Sequence, residues 1–172
     1  MYFFRFCPDC GAPLPAPAEP VRLLAQTCPA CGAVHYRNAK PTASALVIRE
    51  GRVLLGRRGI EPGVGEWDIP GGFLEPWERP EEGAVRELAE ETGLVVRTTE
   101  LLTVLVDTYQ GEVYTLNLYF LAELVSGEPR AADDLIELRW FGPEELPASM
   151  AFANCLEALA AWRSRLHTAN AR

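Results

Sequence analysis

Between Gly72 and Leu94 the chain carries seven glutamates, and the spacing of three of them, set against an apolar stripe, dictates a helix. Glu87, Glu90 and Glu91 stand at i, i+3 and i+4, so on a helix they share an arc of about 100°. Ala84, Val85, Leu88 and Ala89 recur at helical period, which predicts a helix over residues 80–91 with the carboxylates opposite Ala84, Val85 and Leu88. Pro80 opens it, and Gly93, after Thr92, is the expected stop. Arg79 offers no oxygen for capping, and Gly83 costs up to about 1 kcal/mol relative to alanine. Such a helix needs outside support. Three like charges near its C-terminus are opposed by mutual repulsion and by the helix dipole. A solvated acidic face is one resolution. A divalent cation is the other, because hard carboxylate oxygens suit Mg²⁺ or Mn²⁺, with phosphate oxygens and water completing the shell.

The rest of the chain supplies a sheet for this helix. Thr42–Arg49 and Arg52–Arg58 read as a β-hairpin turning at Glu50-Gly51. Residues 59–66, with Gly59, Pro62, Gly63 and Gly65, read as a loop, and Trp67–Pro70 as a short strand ending at Gly71-Gly72. Leu101–Tyr109 and Val113–Leu124 are strand candidates around Gln110-Gly111. Glu137–Phe141 is another, and Phe152–Leu166 a C-terminal helix that buries Cys155 as a core thiol. Strands and helices do not alternate strictly, which predicts an α/β fold with a mixed sheet between helices.

The first 40 residues obey a different logic. Cys7-Pro-Asp-Cys10 and Cys28-Pro-Ala-Cys31 are separated by 17 residues, and each turn can aim two thiolates at one point. Cys7, Cys10, Cys28 and Cys31 together complete a tetrahedral sulfur shell suited to Zn²⁺. Four thiolates leave no open position, so the zinc is structural. Gly11 and Gly32 follow the knuckles and can let backbone N–H groups approach the sulfurs. His35 is left as a packing or surface histidine. Residues 11–20, with four prolines, form a loop inside this module. Composition changes near Lys40-Pro41, giving a zinc ribbon over residues 1–40 and a second domain over 41–172. The aromatics Tyr2, Phe3, Phe4, Phe6 and Tyr36, with Arg5, Arg22, Arg37 and Lys40, are residue types that bind nucleic acid; packing of the ribbon is the preferred reading.

Of 172 residues, 48% are hydrophobic, enough for one core plus a small module. The net charge is −8 and resides in the second part, which holds 12 basic against 22 acidic residues. That balance disfavours non-specific binding to nucleic acid or anionic membranes and demands a metal if the substrate is anionic. The N-terminus lacks the pattern of a secretory signal, no apolar run is long enough to span a bilayer, and the odd cysteine count fits a reducing compartment. The expected location is cytoplasmic.

The stretch Gly72–Leu94 resembles the Nudix box, G-x5-E-x7-R-E-U-x-E-E-x-G-U with U aliphatic. It matches at Gly72, Glu78, Arg86, Glu87, Leu88, Glu90, Glu91, Gly93 and Leu94. The flank Glu66–Glu75 and the later Arg139-Trp140-Phe141 and Glu144-Glu145-Leu146 are similar to the family as well. The resemblance covers residues 42–166, and the Cys module resembles the ribbon that precedes the Nudix domain in NADH pyrophosphatases and in shorter proteins acting on ADP-ribose or FAD. It implies an α/β/α sandwich around a mixed sheet. It also implies that Glu87 and Glu91 are ligands of the catalytic Mg²⁺ or Mn²⁺, that Glu90 joins them or holds a bridging water, and that Gly72 contributes its carbonyl. Glu78 and Arg86 match a pair that ties loop to helix. Asp134 aligns with a later-loop acid that is Glu in the NADH enzymes.

The implied reaction is hydrolysis of a nucleoside diphosphate linked to another moiety, with Glu90 or a carboxylate of the 133–137 loop taking the proton. Arg57 and Arg58, with Glu137, are candidates for substrate contact, and Trp67, Phe73, Trp77, Tyr109, Tyr114 and Tyr119 for stacking on a base. The segment S-Q-P-W-P-F-P-x-S of NADH pyrophosphatases is replaced by Asp107–Tyr114, which favours ADP-ribose or FAD over NADH, NAD or an NAD cap on RNA. The alternative of another class is a nucleotide sensor without hydrolysis, in which the box glutamates are usually lost; here all are present. A homodimer is expected.

Overall fold

The computed structural model describes residues 4–15, 25–109 and 113–169. Tyr2, Phe3, Arg22, the second half of the proline-rich loop and the turn at Gln110-Gly111 lie outside the described residues. Contacts divide the chain into two units, Met1–Ala39 and Lys40–Arg172.

In the first unit a short antiparallel pair, β1 (Ala25–Thr27) and β2 (Val34–Tyr36), flanks the second knuckle. The two knuckles close alike: the N–H of Gly11 donates to the Cys7 carbonyl and that of Gly32 to the Cys28 carbonyl, each at 2.9 Å. Both glycines have positive φ, +74° and +77°, and the N–H groups that follow them, of Ala12 and Ala33, reach the Cys10 and Cys31 sulfurs as expected. Among the described residues, the buried apolar cluster here is only Cys7, Leu14 and Cys28. A module so poor in core needs a further tie.

The second unit is a mixed sheet between two helices. Its strands are β3 (Lys40–Arg49), β4 (Arg52–Arg58), β5 (Trp67–Asp68), β6 (Gly71–Phe73), β7 (Val95–Tyr109), β8 (Val113–Ser126) and β9 (Leu135–Phe141). The helices are α1 (Pro80–Thr92) and α2 (Ala153–Ala169). The main path runs β5-β4-β3-β8-β7, with β6 added to β3 and β9 to β4. β3 and β8 run parallel; the other pairs are antiparallel. The period-2 alternation of β3 splits the core. Ala43, Ala45 and Val47 face Ala84 and Leu88 of α1, whereas Leu46 joins Leu159 and Trp162 of α2.

The hairpin expectation holds only at its turn. β3 and β4 pair at Ile48↔Val53 and Arg49↔Arg52, then part. β3 gives the start of the same edge, Thr42–Ser44, to β6, and β4 turns to β9 and β5. β7 begins at Val95, six residues before the strand expected from Leu101, because its first part is an exposed edge with weak alternation. Among the described residues, no helix is long and apolar enough to cross a membrane.

Candidate active site

Helix α1 is fixed to the sheet by its loop and by its acids. Glu82 Oε2 accepts the N–H of Arg79 at 3.3 Å, supplying from the first turn the cap that Arg79 cannot. Gly83 answers a packing demand. A methyl there would strike the side chain of Leu74 and come within 2.8 Å of Glu78 Oε2. The Leu74 and Glu78 side chains of the preceding loop thereby lie directly against the helix. Arg86 completes the clasp. Its Nε and Nη2 grip the two oxygens of Glu78 at 2.8 and 2.9 Å, and Nη2 also donates to the Phe73 carbonyl at 3.2 Å. The bond from Arg86 holds Glu78 below the usual carboxylate range. Nη1 reaches Glu87 Oε1 at 2.8 Å and Glu90 Oε2 at 3.2 Å.

Glu91 departs from the expected arrangement. It lies seven residues after Ala84, close to two full turns, so it falls on the apolar face and not opposite it. It is buried, at 4% exposure, and its Oε2 accepts the N–H of Gly71 at 3.0 Å. Burial pushes its carboxyl up to about 8, and the charges of Asp68, Glu87 and Asp134 push in the same direction against the Gly71 bond. Gly71 itself has φ +154°, and a side chain on it would collide with Ser44 and the Ala43 carbonyl. Only glycine lets β6 approach β3 closely enough to present that N–H. Next to it, both Glu87 oxygens lie within 2.7 Å of where a Gly72 side chain would begin. Burial raises Glu87 too, outweighing its bond from Arg86.

The oxygens of Glu87, Glu90 and Glu91 do not all converge within 4.8 Å; Glu90 is turned outward to Arg86. The donor set nonetheless fits a hard divalent cation. Glu91 could offer an oxygen to it: burial, and then the charges of Asp68, Glu87 and Asp134, raise its proton affinity, the condition a bound cation relieves. Glu87, Glu90 and Glu91 do not line the neighbouring cleft of about 170 Å³; Gly71 and Gly72, against which Glu91 and Glu87 lie, do, with β3, the ends of β7 and β8, Asp68, Asp134 and the start of α2.

Residues 39–162 match the NUDIX domain. The chain belongs to the Nudix hydrolase family. It is 36% identical over 148 residues to the NAD-capped RNA hydrolase NudC of Stutzerimonas stutzeri, an alignment covering 84% of this chain and 50% of that protein. It is 31% identical over 113 residues to the ADP-ribose pyrophosphatase of Methanocaldococcus jannaschii, covering 65% of this chain and 67% of that protein. Among solved structures, a NUDIX hydrolase from Nitrosomonas europaea superposes with TM-score 0.81 at 29% identity, covering 96% of this chain and 93% of that one. The chain spans about half the length of the NudC relatives it matches.

Several sequence candidates fall inside the Nudix cleft and others outside it. Gly72, Arg58 and Asp134 line it, as do Phe73 and Tyr109, while Tyr119 forms part of its buried floor. Arg58 is already engaged: Nη1 bonds Asp68 Oδ2 at 3.0 Å, and Nε bonds the Pro62 carbonyl at 2.7 Å. Arg57 and Glu137 are not among the lining residues; they are cross-strand partners whose side chains meet at 3.3 Å. Trp67 packs on Phe141, and Trp77 is exposed. Sequence reasoning missed Asp68, a buried acid that accepts from Arg58, the Ile69 N–H and the Cys155 thiol. It also missed Asp107, Asn117, Phe152 and Asn154. The only available signal was a polar residue inside an apolar strand or helix start, which Asn117 and Asn154 both are.

The four knuckle thiols form a second candidate centre. All four Sγ atoms lie within 4.8 Å of one another, and two of their separations are 3.7 and 3.8 Å. A tetrahedron with zinc–sulfur bonds of about 2.3 Å has edges of about 3.8 Å, so these residues could hold zinc. Backbone hydrogen bonding at Cys31 draws the Cys28 thiol down to about 7, whereas hydrogen bonds from Cys10 and Cys28 push Cys31 up to about 12 against the Ala33 N–H, so without a cation the four sulfurs do not ionise together. His35 is no idle surface residue: its Nε2 lies 3.2 Å from Cys7 Sγ.

Proposed function

We propose that this Nudix chain hydrolyses the pyrophosphate bond of compounds carrying an ADP-ribosyl half, with NAD(H) the first substrate to test and ADP-ribose the second. The observation that carries this reading is the pair of box glutamates, Glu87 and Glu91, seated against the Gly71-Gly72 turn, whose two glycines line the cleft. The NudC and ADP-ribose pyrophosphatase relatives support the substrate class. They shift weight toward NAD relative to the ADP-ribose and FAD expected from the missing S-Q-P-W-P-F-P-x-S segment.

Glu87, Glu91 and the Gly72 carbonyl would hold the divalent cation, with Glu90 and Asp134 as additional oxygens. When bound, the cation supplies charge neutralisation for the diphosphate and an acidified water for in-line attack. The chain's own part is positioning. The Gly71 N–H fixes Glu91, Arg86 orients Glu87 while anchoring Glu78, and the attacking water gives its proton to Glu90 or Asp134. Zinc in the four-cysteine shell would stay outside the reaction, since sulfur fills every position.

The test is turnover of the full chain with Mg²⁺ or Mn²⁺ on NADH, NAD⁺, ADP-ribose, FAD and NAD-capped RNA, with products separated by chromatography. The expected products from NADH are AMP and the reduced nicotinamide mononucleotide. Absence of cleavage across the panel would overturn the reading, and cleavage of FAD alone would overturn the choice of substrate.

A further inference from the structure

Four thiolates around Zn²⁺ carry more negative charge than the metal cancels. An Asp9 carboxylate oxygen adds to it, lying within 4.8 Å of Cys7 Sγ and of a His35 ring nitrogen. Sulfurs so charged need hydrogen-bond donors. Backbone N–H groups supply them at three positions: Ala12 to Cys10, Ala33 to Cys31, and Ala30 and Cys31 to Cys28. At Cys7, which is buried, the fold brings up an imidazole, with His35 Nε2 at 3.2 Å from Sγ.

The rest of the module aims that ring. His35 lies on β2, in register with Gln26 on β1. Gln26 is buried and clamps the backbone of Phe4: Oε1 accepts the Phe4 N–H and Nε2 donates to the Phe4 carbonyl, each at 3.2 Å. Nε2 also reaches the Pro15 carbonyl at 3.2 Å. The Phe4 ring so held meets the imidazole at 70°, with centroids 5.7 Å apart. A strand register, a buried amide and an aromatic ring thus converge on the orientation of one histidine.

We propose that His35 is a working part of the zinc centre: it donates its Nε2–H to the Cys7 thiolate, and so holds that sulfur in place without touching the metal. This rests on zinc filling the four-cysteine shell. A zinc-bound thiolate has no proton, so the hydrogen between Sγ and Nε2 belongs to the imidazole. The bond lowers the energy of a buried anion and fixes the direction of its lone pairs. His35 is therefore a positioning residue, because sulfur already takes the four places around the metal.

The experiment measures transfer of Zn²⁺ from the full chain to a chromophoric chelator, then records the sulfur-to-metal charge-transfer band of the chain loaded with Co²⁺. His35→Leu removes the donor and keeps an apolar body against Phe4. His35→Gln keeps an N–H that can stand where Nε2 stands. The leucine variant should bind zinc about ten- to a hundredfold more weakly. Its cobalt band should move to lower energy, because a sulfur that accepts no hydrogen bond gives up its electrons more readily. The glutamine variant should recover most of the affinity and the native band. A leucine variant with native affinity or an unmoved band would overturn the proposal. So would a glutamine variant as weak as the leucine one, which would reduce His35 to packing. A native cobalt spectrum of three thiolates and one nitrogen would overturn it by making His35 a ligand. A native chain that holds no zinc would defeat the zinc reading and the proposal together, whereas tight zinc indifferent to both substitutions would defeat the proposal alone.

Discussion

Replacing Glu91 with Gln should abolish turnover and yet stabilise the protein measured without added divalent ions. The folded chain holds this carboxyl at about 8, against an ordinary value of 4.5. Below pH 4.5 both folded and unfolded chains bind the proton, and nothing is lost. Between 4.5 and about 8 the unfolded chain ionises there while the folded one does not, so stability falls by about 1.4 kcal/mol per pH unit. Above about 8 both ionise and the loss levels off. The ceiling is about 5 kcal/mol, and solvent relaxation around a real buried acid reduces it, so a difference of about 2 kcal/mol at pH 8 is expected. For a chain of this size that is roughly 4–8 °C in the unfolding midpoint. Glutamine keeps an oxygen for the Gly71 N–H and removes only the ionisation. Thermal or urea unfolding of native and variant chains at half-unit steps from pH 5 to 8.5 gives the curves. Their difference isolates Glu91 from other titrating groups. Added Mg²⁺ should close the gap at pH 8 by stabilising the native chain alone. A difference that stays flat across this range, or a variant less stable than the native chain at pH 8, would refute the account of Glu91 as an uncompensated buried acid.

Arg86→Lys should lower stability by about 1–3 kcal/mol in urea unfolding and cut kcat at least tenfold, because a single ammonium cannot reproduce the fork on Glu78 while orienting Glu87; native values in both assays would contradict the clasp. Gly71→Ala should cost at least about 2 kcal/mol, read as a lowered midpoint or lost solubility, since its backbone conformation and the approach of β3 both exclude a side chain. Metal analysis after exhaustive dialysis should find about one zinc per chain, and Cys10→Ser should lose both the metal and thermal stability, closed thiolate sites being worth roughly 10–16 kcal/mol; full retention of both would sink the zinc assignment.

The helix and its acids were legible from sequence because local spacing decides them: the expected 80–91 became Pro80–Thr92. The mixed sheet followed from the irregular order of strands and helices, and the observed parallel β3–β8 pair within antiparallel neighbours agrees with it. What spacing could not show was depth. Glu91 looks like its neighbour Glu90 in the sequence, yet one is buried beneath the Gly71 turn and the other half-exposed on Arg86. The cleft was illegible for another reason. Asp68, Asp107, Asp134 and Asn154 come from four segments that only strand order brings together, and no motif links them. Arg58 was read correctly as charged but not as spent, because its partner Asp68 sits on the neighbouring strand β5.

The shared edge of β3 separates two kinds of change. Thr42–Ser44 pair with β6, Ile48–Arg49 pair with β4, and between them the Ala45 N–H is taken by the Pro70 carbonyl. The sheet forks there, and α1 rests on the prong that carries Gly71. The cleft's other walls grow instead from the tips of β7 and β8 and from the first turn of α2. A lineage can therefore swap those walls, residue by residue, and try new leaving groups or new bases without disturbing the prong on which the carboxylates are hung. One change of hydrogen-bonding partner along a single strand separates the seat of the carboxylates from the outer walls of the cleft.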